Sequence, residues 1–432
     1  MSLRNRAISS ARWTLVRVSC IYTLQLAQLA ILARILDPVH FGEIALVVMV
    51  LMVADVFSQT GIDLAIIRNQ KEPDALLDSA WTIQLCRGLC LAGVIAAAAG
   101  PVASYFETPG LFPMLLVAAV VPFLDGTRNI GTALLVRELA QRRLVIAEVT
   151  VTAVGVISAT ILALTLRSTW ALVINMGVVA LLKTLASYIV HAHRPRLQFQ
   201  WQRLRSLARF GIYVNLGVAT TYLALNVDKF VLGKSLGTES LGIYERAFLL
   251  SNFIVLQMYS FLSATLFPTF SKLQGSPDRF RHHVRRFLMI LAAGAAAWSG
   301  GLYLLSDYAI PLVFGAKFTA GIPVFEILLL HAGCHGISAG IHTLFILLNR
   351  PRLTFYCTAV QLVAVIIGLQ WAVTAGSLTA VALAMGIGAA CGLLCTLAFV
   401  ARGALAPPAL VPQPEDSPPA KAPAAEFVES SG

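Results

Sequence analysis

Three histidines stand in one apolar stretch at the spacing of a helical face: His331, His335 and His342, with Ser338 between them. Imidazole gains a proton near neutral pH more readily than other side chains, so this face fits a proton-coupling site. An i, i+4 pair also fits a metal, although no carboxylate or cysteine on the face completes a ligand set. Polar packing or cavity lining is the plainest reading of the three.

A second group is basic. Arg17, Arg87, Arg128, Lys183 and Lys229 all stand inside long apolar runs. Asp125 precedes Arg128 by three residues, the spacing of an ion pair along one helix. That pair either serves the function or merely neutralises charge for insertion. Arg17, Arg87 and Lys183 have no equally obvious acidic neighbour, and cations without partners suit an anionic ligand such as a diphosphate.

Neutral polar residues extend these positions into stripes. At about 100° per residue, Ser10, Thr14, Arg17, Gln25 and Gln28 share an arc of about 80°. Such a stripe faces a bundle interior or an aqueous cavity rather than lipid. Asn215, Tyr222, Asn226 and Lys229 form a second stripe, and Glu245, Asn252, Tyr259 and Ser263 a third. Gln84 lies one turn from Arg87. The chain has neither a phosphate-binding glycine loop nor a nucleophile elbow. These side chains therefore read as binding and transport groups, with no cofactor implied.

The surroundings make these residues exceptional. Of 432 residues, 58% are hydrophobic and only 12% charged, with a mean hydropathy of +0.78. Soluble domains carry about 25% charged residues. Apolar blocks such as 353–374 and 377–400 each reach the roughly 20 residues that cross a bilayer as a helix. Backbone groups in lipid must be satisfied within helices or closed barrels, and blocks this continuous are not barrel strands. A charge at the centre of such a span costs about 2.5–3.5 kcal/mol, so each one requires a reason.

The expectation is an all-α, polytopic membrane protein of about twelve transmembrane helices. Their cores are 13–36, 42–60, 80–100, 111–133, 144–165, 170–190, 210–232, 242–267, 287–305, 323–348, 354–374 and 377–401. The first block is long and interrupted by Arg17, Gln25 and Gln28, so it reads as a retained span rather than a signal peptide. Most lysines and arginines fall in loops on the side of the N-terminus. The opposite side holds Arg34, Arg167, Lys234 and Lys317. This bias places both termini in the cytoplasm. The net charge of +11 is thus a topology signal, and nucleic acid is not an expected partner. The 7 cysteines read as small apolar fillers, with neither a disulfide framework nor a zinc site indicated.

The chain also repeats. Leu32-Ala-Arg34-Ile-Leu36 followed by Phe41-Gly42 returns as Leu232-Gly-Lys234-Ser-Leu236 followed by Leu241-Gly242. Each copy joins the first two spans of a six-span half, so the halves are parallel repeats about an axis along the membrane normal. The expected organisation is a cytoplasmic N-terminus at 1–12, an N-lobe at 13–190, a linker at 191–209, a C-lobe at 210–402 and a tail at 403–432. The linker reads as a cationic amphipathic helix on the headgroups, with Trp201, Leu204 and Ala208 on one face. A plain basic loop fits equally. The Pro- and Ala-rich tail lacks the composition of a folded core.

Five motifs in order resemble the polysaccharide transporter branch of the multidrug/oligosaccharidyl-lipid/polysaccharide exporter superfamily. They are Ala11-Arg-Trp13 with the stretch from Leu32 to Gly42; Ala133-Leu-Leu-Val-Arg137-Glu138 continuing to Arg142-Arg143; and Asn226-Val-Asp228-Lys-Phe-Val-Leu232-Gly233 with Gly237, Gly242 and Tyr244. Phe267-Pro268 with Ser271-Lys-Leu-Gln274, and Asn349-Arg350-Pro351-Arg352, complete the set.

The resemblance implies a bacterial inner-membrane flippase of two pseudo-symmetric six-helix lobes that alternate between inward-open and outward-open states. The implied cargo is an undecaprenyl-diphosphate-linked oligosaccharide for lipopolysaccharide or exopolysaccharide synthesis, carried through a cationic cavity between the lobes. Arg17, Asn226, Asp228, Lys229 and Glu245 match positions that serve such cavities in relatives.

With the residues above, the expected substrate-lining set is Arg17, Gln25, Gln28, Arg87, Arg128, Asn226 and Lys229. Candidates for coupling to a proton or sodium ion are Asp125, Asp228, Glu245, His331, His335 and His342. Membrane lipids and glycan polymerase or export machinery are the implied partners. Many relatives have two further spans, where this sequence has its Pro/Ala tail. A cation-coupled small-molecule antiporter of the same superfamily is the main alternative. A membrane-embedded glycan polymerase or ligase needs a sizeable external loop that is not evident, and the polar stripes argue against an inert scaffold.

Overall fold

The computed structural model describes residues 3–58, 74–137, 141–198, 220, 222–253, 277–348 and 350–405, and every regular element among them is helical. The first half comprises α1 (Leu3–Ile35), α2 (Pro38–Ser58), α3 (Asp74–Tyr105), α4 (Leu111–Ala118), α5 (Val120–Gly126), α6 (Thr132–Arg137), α7 (Gln141–Leu166) and α8 (Trp170–Val190). The second half has α9 (222–235) and α10 (237–253), then α11 (Pro277–Leu304), α12 (Ser306–Phe314), a 3₁₀ turn (Ala316–Gly321), α13 (Ile322–Leu347), α14 (Pro351–Ala375) and α15 (Leu378–Ala401).

Nine stretches among the described residues are long and apolar enough to cross a bilayer. They correspond to nine of the expected twelve spans. The expected fourth span, 111–133, is shorter and divided: α4 and α5 are separated at Ala119, and a turn at 127–131 precedes α6. Pro122 accounts for the first break, because it has no N–H to offer the carbonyl of Ala118. The expected seventh and eighth spans are helical over 222–235 and 237–253. Their remaining residues, including Asn215, Tyr259 and Ser263, lie outside the described residues, as do the motif at 267–274 and the tail from 406 onward.

Outward faces are apolar. Leu89, Ile157, Ile367 and Leu394 are each more than half exposed, which a soluble protein would not tolerate around its whole girth but a bilayer requires. Cys86 and Cys90 lie on such an exposed face, so they fill no core.

The buried cores are distributed unevenly. Around the α1–α2 turn one continuous core passes through both halves, joining Leu36, Phe41 and Leu46 to Leu232, Leu241, Tyr244, Phe314 and Phe318. At the opposite end each half keeps its own smaller core among the described residues. One comprises Leu77, Ala80 and Ile130, the other Phe287, Leu344, Phe345 and Leu348. Among the described residues, two bundles thus share a core at one end and keep separate cores at the other.

The join is built by the sequence repeat. A methyl group on Gly42 would overlap the main chain at Thr238, and one on Gly242 would overlap the main chain at Pro38. The contact is reciprocal, residue for residue, as a two-fold interface must be. Only glycine allows two backbones to approach so closely.

Residues 191–198 are not helical, which corrects the amphipathic-helix expectation for that part of the linker; 199–209 lie outside the described residues. Pro195 lacks the N–H that a helix needs and restricts the residue before it. The segment is strapped to the N-lobe instead. Asn129 Nδ2 donates to the His193 carbonyl at 2.8 Å, and the Arg196 and Gln198 amides donate to Asp78 and Thr82, each at 3.0 Å.

Candidate functional site

A cavity of about 820 Å³ lies inside the N-lobe. Its walls come from α1, α2, α3, α5, α7 and α8, and the sequence-predicted Gln25, Gln28, Arg87, Asp125 and Arg128 all line it. The crossing of α3 over α5 explains how they meet. Gly88 and Gly126 pack backbone to backbone, so Gln84 Nε2 reaches the Asp125 carbonyl at 2.8 Å. Arg87, one turn further, then projects into the same space.

The cations are not unpartnered as expected. Arg87 meets Asp55 of α2 at 2.5 Å, and Arg17 meets Glu148 of α7 at 3.3 Å. Arg128 lies 3.8 Å from Asp125, the pair foreseen from spacing. Inspection of each span alone missed Asp55 and Glu148 because ion pairs between helices leave no i, i+4 trace. The available signal was acids at membrane depth on neighbouring spans. Lys183 lines the cavity and makes no ion pair within 4 Å among the described residues. Arg17 stands apart from the lining, with Trp13 nearby stacked by Arg142 at 5.7 Å.

The remaining site residues form a second cluster, inside the C-lobe. Asp228 is fully buried and accepts a 2.5 Å hydrogen bond from the Tyr244 hydroxyl. Lys229 meets Glu245 at 2.9 Å and lies 4.7 Å above the Phe248 ring. Phe248 in turn packs on His331 at 5.5 Å, and the His331 and His335 rings stack in parallel at 5.7 Å. Among the described residues, Asp228 Oδ1, both ring nitrogens of His331 and Nδ1 of His335 have no hydrogen-bond partner. Asn226 is held locally, its amide donating to the Tyr222 carbonyl at 2.9 Å. His342 sits apart from the pair, 3.2 Å from the Thr396 hydroxyl.

Among the described residues, the expected site residues thus gather into two polar centres, one in each lobe. Between them runs the seam at the α1–α2 end. Arg246 lies 4.4 Å over the Phe41 ring, Tyr105 stacks on Phe230 at 5.2 Å, and Arg34 donates to the Leu312 carbonyl at 2.8 Å. Two exposed ion pairs cross the same seam: Lys234 with Glu107 at 2.6 Å and Lys317 with Asp37 at 2.7 Å. The hydrogen bond from each lysine holds its carboxyl below the usual carboxylate range. Sequence reasoning placed Arg34, Lys234 and Lys317 only as loop charges.

Solved structures share this architecture. The inward closed conformation of the lipid II flippase MurJ superposes with a TM-score of 0.73 at 16% identity, covering 90% of this chain and 87% of that one. An inward-facing multidrug resistance MATE family transporter of the MOP superfamily gives 0.65 at 17% identity, covering 91% and 98%. Among curated proteins, the lipopolysaccharide biosynthesis protein WzxC of Escherichia coli K12 is 25% identical over 384 residues, 86% of this chain and 77% of that protein. The succinoglycan biosynthesis transport protein ExoT of Rhizobium meliloti is 24% identical over 321 residues, 74% of this chain and 65% of ExoT. With a family match over residues 31–323, well over half its length, this multi-pass helical membrane protein belongs to the polysaccharide biosynthesis protein family.

Proposed function

We propose that the chain is a flippase. It moves an undecaprenyl-diphosphate-linked oligosaccharide from the cytoplasmic to the periplasmic leaflet of a bacterial inner membrane by alternating access, without catalysing a reaction on it. The observation that carries this reading is the uneven core: the lobes share one core at the α1–α2 end and have separate cores at the other. Rocking about such a joint exposes a polar interior to one side at a time. By the positive-inside bias the separated end, with both termini and the linker, is cytoplasmic. The membership of a polysaccharide biosynthesis family supports the cargo class.

Cargo rests against Gln25, Gln28, Arg87 and Arg128 on the N-lobe side and Asn226 and Lys229 on the C-lobe side, with Arg17 at the cytoplasmic entrance. The pairs Arg87–Asp55 and Lys229–Glu245 keep these cations affordable in the bilayer when no anion is present. Coupling to a proton or sodium ion falls to Asp228, Glu245, His331 and His335, because buried polar atoms without partners are costly and are retained where a mobile ion completes them. Asp125 and His342, engaged with Arg128 and Thr396, are the weaker coupling candidates. Glycan polymerase or export machinery would receive the product.

The test is complementation. In a strain lacking its own repeat-unit flippase, the chain should restore surface glycan and clear lipid-linked repeat units from the cytoplasmic leaflet. Restored drug tolerance with no gain of glycan would overturn the cargo assignment in favour of the antiporter reading.

A further inference from the structure

Lys183 differs from the other basic residues set well inside the predicted spans, Arg17, Arg87, Arg128, Lys229 and Arg246. Arg17, Arg87, Arg128 and Lys229 each have a carboxylate within 4 Å, and Arg246 lies against the Phe41 ring. Lys183, among the described residues, has neither kind of partner, and it lines the N-lobe cavity. It stands seven residues before Val190, the nearer end of α8, about 10 Å into the span at 1.5 Å per residue. A lone ammonium at that depth is costly unless water or a ligand meets it.

The cavity's charge is unbalanced. Arg87, Arg128 and Lys183 face only Asp55 and Asp125, and each of those carboxylates is already engaged with an arginine. One positive charge is left over. Amide side chains line the same cavity. The Ser158 hydroxyl donates to Asn175 Oδ1 at 2.6 Å, which leaves the Asn175 amide nitrogen to donate. Asn175 lies eight residues before Lys183 on α8, and both line the cavity with Gln25 and Gln28. An excess cation in a cavity that is also lined by amide N–H donors favours an oxyanion over a cation.

We propose that Lys183 anchors a subsite inside the N-lobe for an oxyanion of the cargo, either the diphosphate of the lipid carrier or a carboxylate on its sugars. The proposal rests on the flippase reading above and adds where the charged group is held. Cargo gripped there moves with the N-lobe when the lobes rock, so the lobe carries the anion across rather than releasing it into the gap.

The experiment uses the full chain in lipid nanodiscs at low salt, titrated calorimetrically with farnesyl diphosphate and separately with trigalacturonate. Lys183→Gln should weaken binding of one probe by about tenfold or more, the scale of one lost charge-assisted contact. Lys183→Arg should restore most of it, and Arg352→Gln, an equal loss of charge at the surface, should leave it unchanged. Farnesyl diphosphate as the Lys183-dependent ligand assigns the site to the carrier, and trigalacturonate assigns it to the glycan. If neither probe binds, or binding ignores Lys183, the subsite is wrong. Complementation separates the two layers. Full glycan export by Lys183→Gln overturns the subsite alone. A wild-type chain that restores no export overturns the transport reading while Lys183-dependent binding still supports the subsite.

Discussion

Gly42 and Gly242 sit back to back across the seam between the lobes, each pressed against the main chain of the other's hairpin. The two residues occupy the same position in the two copies of the repeat. Their contact leaves no room for a side chain.

Gly42→Ala or Gly242→Ala should therefore wedge this end open. Overpacking of this kind costs about 1–3 kcal/mol, charged here to the closed arrangement. Spin labels at Thr165 and Leu305, one on each lobe near the seam, should report a longer and broader distance distribution in either variant. An unchanged distribution would show that the glycines are not what holds the end shut.

The exposed ion pairs predict a pH dependence with a definite sign. Asp37 and Glu107 have carboxyls lowered below 3.8 and 4.5 by their lysines while the seam is closed. Opening the seam removes the lysines and returns these groups to ordinary values. The pairs thus favour closure above those ordinary values, and the contribution is lost as pH falls through the lowered ones. Both pairs are solvent-exposed, so the effect is small and weakened by salt. The same spin-label distance, followed from pH 7 down to pH 3 at low and high salt, checks it. Opening that grew on raising the pH would contradict the sign.

Arg87→Ala should destabilise the N-lobe by about 1–2 kcal/mol, less than a fully buried pair because both partners are partly exposed. Exchanging the charges, Arg87→Asp with Asp55→Arg, should recover most of the thermal stability. It should not recover export, since the cation then projects from α2 rather than α3. Thermal melts in detergent beside an export assay separate the two roles. Normal export by the exchanged pair would reduce Arg87 to a structural residue.

His331→Phe tests coupling against packing. Both ring nitrogens of His331 are buried and, among the described residues, unpartnered, and replacing an unsatisfied polar group by an apolar one of similar shape is neutral or stabilising. The melting temperature should hold or rise. If the ring takes part in ion coupling, export should lose its dependence on the proton gradient; export that keeps the wild-type pH profile would leave His331 a packing residue.

What the sequence determined by itself follows from lipid as a solvent. Backbone groups in hydrocarbon must be satisfied within each helix, so the spans, their approximate ends and the two-fold repeat are local properties, written in apolar runs and in Leu32–Gly42 against Leu232–Gly242. The same locality made the Asp125–Arg128 pair and the histidine face readable. Tertiary structure alone decided the partners of Arg17, Arg87 and Lys229, because Glu148, Asp55 and Glu245 reach them from other helices. It also decided that, among the described residues, the polar residues gather into one centre in each lobe, and that Lys183 lines a cavity. Ionic contacts between helices depend on which faces meet and at what depth, and no spacing along a single helix records that.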